Sequence, residues 1–387
     1  MKLAIIGGGP AGFMAAITAK DKNPKCDITI FERAKPLATL LYTGGGRCNI
    51  TFAEFDFKEL ASYYPRGEKF LYSIFSRFGV GDLFDFFEKY GTELYIQPDN
   101  RVFPKSDNAE EIRSILINTA KAKDIKIESL IQITSVKKEE NFILNNKMIF
   151  DKVILATGGK NKFGFDIARD FGHGVGELTP VLCGMKLKEP FLNLSGTSLE
   201  NISVSTDKIK LKGAFLFTHK GISGPVVFDL SSHLAFEKFP VKLKINFTGL
   251  DFESQDSKLI KLLEQNSKKN ISNILTEYLP LAVSKEFLER ASISSDKKAY
   301  EINSKERKKI TKFLTEFDTE ITEKDLPAMV TAGGINLNNL DKNLQSKLTE
   351  GLYFCGEILN IDGLCGGFNL QACFSTGYVA GSSAALN

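Results

Sequence analysis

The chain is poor in the residues that build metal and disulfide chemistry. It has three histidines among 387 residues, and none stands in His-Glu-x-x-His or a comparable ligand spacing, which excludes the usual zinc hydrolase patterns. A Ser/His/Asp order is missing as well. The six cysteines (Cys26, Cys48, Cys183, Cys355, Cys365, Cys373) are scattered without a Cys-x-x-Cys pair. They read as reduced thiols of a cytoplasmic protein rather than as a disulfide frame. No apolar run approaches the roughly 18 residues of a membrane-spanning helix. Met1 leads through Leu3–Ile6 straight into glycines, without the apolar core and cleavage site of an export signal. Excess charge is absent too: 50 Lys+Arg against 47 Asp+Glu leave a formal +3, too little to argue generally for nucleic acid or an anionic membrane.

What is present is ordinary globular composition, 43% hydrophobic and 25% charged, in a chain long enough for two or three domains. The short apolar run at residues 2–6 ends in Gly7-Gly8-Gly9-Pro10-Ala11-Gly12. A helix-forming stretch, Phe13 to Lys20, follows, and then a β-branched strand, Asp27 to Phe31, that ends in Glu32. Strand, glycine turn, helix, strand and acid in register form a dinucleotide-binding fingerprint. Gly7 permits the tight turn, Gly9 lets backbone approach a pyrophosphate, and Gly12 lets helix and strand pack closely. Pro10 and Ala11 open the helix, whose N-terminal N–H groups favour an anion. Glu32, with Arg33 beside it, can accept both ribose hydroxyls. The fingerprint alone does not separate FAD from NAD.

Further along, Glu59 to Gly91 is aromatic-rich with helical spacing and predicts two amphipathic helices broken near Gly79–Gly81. Ala109 to Lys123 reads as another helix. Ile127 to Val136 and Phe142 to Ile149 predict a small β-meander leading to the strand Lys152 to Ala156. Short alternating strands fill Cys183 to Gly249, an all-β insert. From Asp251 to Asp325 the lysine- and glutamate-rich pattern predicts helices with a solvated face. The cluster Lys305, Arg307, Lys308, Lys309, Lys312 is the one basic concentration there, read as solvated or as a dock for an acidic partner. Strands at Met329–Ala332 and Gly351–Phe354 and a closing helix, Asn369–Ala385, complete the chain.

Two more glycine clusters carry candidate chemistry. Thr43-Gly44-Gly45-Gly46-Arg47-Cys48-Asn49 sets flexible positions before a permanent cation, the makings of an anion cradle. Cys48 reads more readily as a packed small residue than as a redox thiol. Gly356-Glu357 after a strand, and Asp362-Gly363-Leu364-Cys365-Gly366-Gly367-Phe368-Asn369 before a helix, fit either the pyrimidine edge of a flavin or a glycine-capped connection. His219, in Thr218-His219-x-Gly221-x-Ser223-Gly224-Pro225, is the weak candidate for an acid or base; a satisfied turn residue is the plainer reading. His173 and His233 carry no local signal.

Taken together, Gly7–Gly12, Thr43–Asn49, Arg101-Val102-Phe103-Pro104, Ala156-Thr157-Gly158-Gly159, Thr218–Pro225, Thr331-Ala332-Gly333-Gly334 and Gly356–Asn369 resemble a bacterial family of NAD(P)/FAD-dependent oxidoreductases that includes aminoacetone oxidase and a bile-acid Δ4-reductase. The resemblance spans essentially the whole chain. It implies an α/β fold: a discontinuous Rossmann-type FAD-binding domain (1–182 and 336–387) with an inserted β-barrel (183–250 and 327–335) that carries a helical insert (251–326). It also implies that Val136 sits at the adenine and Ala156 to Gly159 beside the cofactor. Gly356, Glu357, Gly366, Gly367, Phe368, Asn369, Leu370 and Gln371 would then run along the ribityl chain and isoalloxazine. The sequence departs from the family pattern at Leu37-Ala38-Thr39, where Gly-Arg-Lys is usual. Phe368 stands for a tyrosine, Cys365 for a threonine, and the tryptophans of the last helix are absent.

The expected activity is hydride transfer through flavin N5, either NAD(P)H-linked reduction of an activated C=C bond or oxidation of a small amine-type metabolite. Two alternatives stay open: an RNA base as the acceptor, docked on the helical insert, and a flavin-binding protein that acts through partners without turnover. No second Gly-x-Gly-x-x-Gly follows a strand, since Gly172-x-Gly174-x-Gly176 has the wrong spacing, so NAD(P)H is expected only as a transient reductant. No catalytic side chain is assigned beyond weak candidate His219.

Overall fold

The computed structural model describes residues 1–386. Chain contacts divide it into two units, one formed by Met1–Thr179 together with the segment from Val330 onward, the other by Pro180–Met329.

The first unit is built on a five-stranded sheet, all parallel, in the order Leu352–Phe354, Lys152–Leu155, β1 (Lys2–Ile6), β2 (Asp27–Glu32), Lys126–Ser129. Parallel strands must be covered on both faces, which is why β1 reads as an unbroken apolar run. Helix α1 (Pro10–Lys22) connects β1 to β2, and every residue from Pro10 to Ala19 is buried. It lies against the closing helix, Phe368–Leu386, through small residues. A Cβ on Gly377 would stand 2.4 Å from the Ala11 carbonyl oxygen, and one on Gly381 2.2 Å from that of Ala15. Glycine at these positions lets two backbones approach as no side chain would.

Several predicted elements move or split. Ile127–Val136 is not one strand of a meander. Lys126–Ser129 is the edge strand of the parallel sheet, and Val136–Lys138 opens the three-stranded antiparallel meander with Phe142–Leu144 and Met148–Phe150. Leu130, at φ 59°, marks the break between them. The aromatic-rich stretch folds as three helices, Phe57–Ser62, Glu68–Phe75 and Val80–Lys89, because Asp56 caps the first and Gly67, at φ 90°, starts the second.

The second unit is a closed antiparallel barrel of six strands, ordered Gly184–Leu187, Gly221–Ser223, Lys210–Thr218, Ser198–Ser205, Val241–Asn246, Phe317–Asp325. The helices Phe252–Gln265, Ile271–Ile274, Leu281–Arg290 and Ser304–Thr315 are inserted between the last two strands. Composition assigned Phe317–Asp325 to helix, whereas it is the strand that closes the barrel, with Ile321 inward and Glu320 and Glu323 paired to Lys188 and Lys186 on the neighbouring strand side. Asp318 and Glu320 keep a strand's period, but Glu323, Lys324 and Asp325 are consecutive charges, so the segment merges with the charged helical composition before it. The strand Val330–Ala332 lies outside the barrel and belongs by contact to the first unit. Barrel and helices share one apolar core. Phe247 meets Phe287 at 4.9 Å, and Phe287 stacks on Phe317 at 6.0 Å and 8°.

Candidate FAD site

The first glycine turn is fixed on three sides. Gly7 holds φ 117°, and a Cβ there would lie 2.2 Å from the Ala156 carbonyl oxygen. Gly12 carries its Cα so close to the turn that a Cβ would stand 2.0 Å from the Gly7 oxygen. Gly9 differs: a Cβ on it would meet nothing within 4 Å. It is the N-cap of α1, with no side chain bonding the helix end, so its open face and the first-turn amides suit an approaching anion. Glu32 lies half-buried at the end of β2. Its Oε2 accepts from Gly8 N at 2.8 Å and its Oε1 from Ala34 N at 2.8 Å, which orients the carboxylate and leaves two acceptor sites. Arg33 is exposed. Val136 is buried at the start of the meander, paired with Leu144.

The glycine clusters at the two ends of the sequence meet. Gly44, Gly45 and Gly46 take φ 56°, 69° and 87°. The chain then passes Asn49 into Thr51, and Gly367 packs so tightly there that a Cβ would lie 2.6 Å from Thr51 O and 2.8 Å from Asn49 Oδ1. Thr51 Oγ1 donates to Gln371 Oε1 at 2.6 Å, and Gln371 Nε2 donates to Ser375 Oγ at 2.9 Å. Phe368 is buried between Phe52 (ring centroids 4.9 Å) and Tyr63 (4.5 Å, 14°). Asn369 bonds the backbone of Gly363 in both directions, at 2.8 and 3.0 Å, and Leu370 is partly buried. Arg47 is committed locally, 4.2 Å over the Phe103 ring and 3.8 Å from Asp107. The Cys48 thiol is pushed up to about 12 by burial, so it is no thiolate at neutral pH.

A third convergence surrounds Glu357. The sheet ends in Gly356, whose N–H donates to Thr376 Oγ1 at 2.9 Å and whose Cβ position lies 2.8 Å from Ala11 Cβ. Glu357 Oε1 accepts from Thr331 N at 2.8 Å and crowds Gly159, where a Cβ would stand 2.7 Å away. Burial pushes its carboxyl up to about 7, against the opposing pull of the Thr331 amide and the Lys160 charge. A carboxyl that holds a proton near neutrality donates as well as accepts, as a polyol partner needs. Thr157 precedes Gly158, at φ 75°.

Asp362 is fully buried, and both its oxygens bond the Arg66 guanidinium. Arg66, like Tyr63 and Tyr64, gave no local sequence signal; only their positions in space place them here, whereas Thr331 belongs to a motif of the resemblance without a role assigned to it. His219 is exposed in the turn between Lys210–Thr218 and Gly221–Ser223 of the barrel. Among the described residues no group of side chains could hold a metal ion, and no helix is long and apolar enough to cross a membrane.

An extended, polyhydroxylated anion fits these residues. Three oxygens in or beside the turns are buried without a hydrogen-bond partner in the protein, Asn49 Oδ1, Thr157 Oγ1 and Asn360 Oδ1. Such groups cost about 1–3 kcal/mol each unless something bonds them. The residues that would hold FAD are thus the Gly7–Gly12 turn and Glu32 at one end, and Asn49, Thr157, Glu357 and the turn before Phe368 along its length.

The family model of the HI0933-like protein Rossmann domain matches residues 1–383. The chain is 28% identical to a 3-dehydro-bile acid delta(4,6)-reductase of Clostridium scindens, over 99% of both chains. It is 27% identical to a ribosomal RNA dihydrouridine synthase of Escherichia coli, over 97% of this chain and 95% of the relative. A solved 3-ketosteroid delta1-dehydrogenase of Sterolibacterium denitrificans shares the fold at a TM-score of 0.51, with 11% identity and 99% of each chain covered. The sheet order, the glycine turns and the length of the match place the chain in the HI0933-like family of Rossmann-fold proteins, as an FAD-dependent oxidoreductase.

Proposed function

We infer that the protein reduces a carbon–carbon double bond conjugated to a carbonyl group, at the expense of NAD(P)H. The observation that carries this reading is that two relatives matched over nearly their whole length, at 28% and 27% identity, are named for saturating such a bond, one in a 3-dehydro-bile acid and one in a uridine of RNA. When bound, FAD supplies hydride transfer through its N5. The chain's own residues bind and orient. The α1 N-terminus takes the pyrophosphate, Glu32 the ribose, and Glu357 a hydroxyl of the ribityl chain. The rigid turn before Phe368 presents backbone N–H groups rather than a titrating side chain. NAD(P)H binds without a domain of its own, since the sequence holds a single dinucleotide fingerprint.

Anaerobic mixing of the purified holoprotein with NADPH, followed by a 3-oxo-Δ4 steroid, tests this. Rapid bleaching by NADPH and recovery of colour with the enone support it. Bleaching by a small amine but not by NADPH would make the protein an oxidase, and bleaching by neither would leave a flavin-binding partner protein.

A second reading, an RNA base as acceptor, is favoured by the names of two relatives, from Escherichia coli and Haemophilus influenzae. The helical insert offers it little. Arg307 bonds Asp256 at 2.9 and 3.0 Å, Lys309 bonds the Ala291 carbonyl, and Lys312 lies 3.5 Å from Asp318. Lys305 and Lys308 remain, both exposed. With two phosphate contacts, the logarithm of RNA affinity would fall with that of salt at a slope of roughly −1.4. A much steeper slope would place the RNA on some other surface.

A further inference from the structure

The segment Tyr63–Gly67 grips the turn that precedes the closing helix at every one of its informative positions. The Tyr63 carbonyl accepts from Leu364 N at 3.0 Å, while its ring stacks on Phe368. The Tyr64 hydroxyl donates to the Phe368 carbonyl at 2.6 Å. Arg66 pairs by backbone with Asp362 and binds both its carboxylate oxygens through a guanidinium fork. Gly67, at φ 90°, comes so near Ile361 that a Cβ would lie 2.7 Å from Cγ1. These contacts join residues about three hundred positions apart in sequence, and Asp362 has no solvent exposure at all. A fork onto a buried carboxylate fixes direction as well as distance.

We propose that Arg66 is a positioning residue for FAD: by holding Asp362 it sets the turn from Gly363 to Phe368 in the geometry that meets the flavin. The proposal rests on the FAD reading above. Asp362 is then not a ligand of the cofactor but the buttress of the turn that is, and Arg66 acts through it without touching FAD. A guanidinium is required because a lysine ammonium supplies the same charge as a point and cannot bond both oxygens in one plane. If the turn's fixed N–H donors favour the reduced, anionic cofactor, loosening them weakens FAD binding and lowers the flavin's midpoint potential together.

The test compares wild-type protein with Arg66→Lys and, reaching the same contact from the other side, Asp362→Asn. Apoprotein of each is titrated with FAD by fluorescence quenching, its fold is checked by circular dichroism, and the midpoint potential of the reconstituted protein is measured. The expected result is a native spectrum, an FAD dissociation constant raised at least tenfold, and a lower potential. A tenfold loss of preference for the reduced form corresponds to about 30 mV for a two-electron couple. A purely structural role would lower melting temperature but leave the folded protein with wild-type affinity and potential, and that result in either variant overturns the proposal. Should Arg66→Lys not fold, Asp362→Asn decides. Wild-type protein that takes up no FAD would overturn the cofactor reading and the proposal with it, a failure told apart because the unaltered chain shows it.

Discussion

Substituting alanine at Gly9 and at Gly12 separates the two jobs of the first turn. At Gly12 helix propensity favours alanine by about 1 kcal/mol. The added methyl would lie 2.0 Å from the Gly7 oxygen, where an ordinary carbon–oxygen contact is roughly 3.3 Å. Helix α1 would have to retreat by about 1 Å from a turn that is pinned by Gly7 N to Phe31 O at 2.9 Å and Leu37 N to Gly8 O at 2.8 Å. Overpacking of this kind costs about 1–3 kcal/mol, so the clash outweighs the propensity gain. The net loss is up to about 2 kcal/mol, or as much as several degrees of melting temperature for a domain of this size. At Gly9 the backbone is already extended, φ −86° and ψ −176°, and the methyl meets nothing. Alanine is a poorer N-cap than glycine by roughly 0.5–1 kcal/mol, and it restricts the unfolded chain by a similar amount. Apoprotein stability should therefore hardly change, while a methyl in the path of the pyrophosphate raises the FAD dissociation constant at least tenfold, about 1.4 kcal/mol. Urea melts and FAD titrations of both variants read these effects. A Gly9→Ala protein that binds FAD as wild type does, or a Gly12→Ala protein more stable than wild type, refutes the reasoning.

Four further outcomes follow from particular contacts. Gly381→Ala destabilises the apoprotein by up to about 2 kcal/mol in a urea melt, the overpacking exceeding the gain in helix propensity, because the methyl is driven to 2.2 Å from the Ala15 oxygen. Glu357 is raised to about 7 from its ordinary 4.5, so its contribution to stability is full below pH 4.5 and is lost as pH rises through 7. Glu357→Gln should thus flatten the apoprotein's pH–stability curve over that window by up to about 3 kcal/mol, and an unchanged slope would exclude it. His173 works in the opposite sense: burial lowers it from 6.5, so the stability of its neutral form, bonded to Ser346 Oγ at 2.8 Å, is present above pH 6.5 and lost in acid. His173→Gln should remove that part of the acid-side decline in urea melts run from pH 7 to 5. Native thiol titration at neutral pH should modify Cys365 ahead of the rest, since burial holds Cys48 and Cys373 up near 12; fast reaction of Cys48 would contradict its buried, protonated state.

The parts of the fold that announce themselves in sequence are those with local causes. Gly7–Gly12 followed by a helix and a β-branched strand needs no distant partner to be read, and the parallel sheet and barrel agree with the fold expected from composition and resemblance. Phe317–Asp325 was hidden because five of its nine residues are charged, like the helices before it, and only its pairing with Val241–Asn246 and Gly184–Leu187 makes it a strand. Lys126–Ser129 reads in sequence as part of a longer meander strand, because a polar, exposed segment at a sheet edge carries no sign of which sheet it joins. At the site, the sequence names glycine clusters but not what they lean on. Arg66 sits in Tyr-Tyr-Pro-Arg-Gly, a string with no motif, and its bond to Asp362 exists only once the closing helix returns to the first unit. Glu357 shows the same limit, since its proton affinity comes from burial beside Thr331 and Gly159, which no spacing discloses.

The FAD content of the purified protein tests most directly the claim that glycine turns from opposite ends of the sequence enclose a single dinucleotide. Denaturing a known amount of protein and identifying the released nucleotide by chromatography should return one FAD per chain from a yellow preparation. A colourless protein that refuses added FAD yet binds a nicotinamide nucleotide would contradict it.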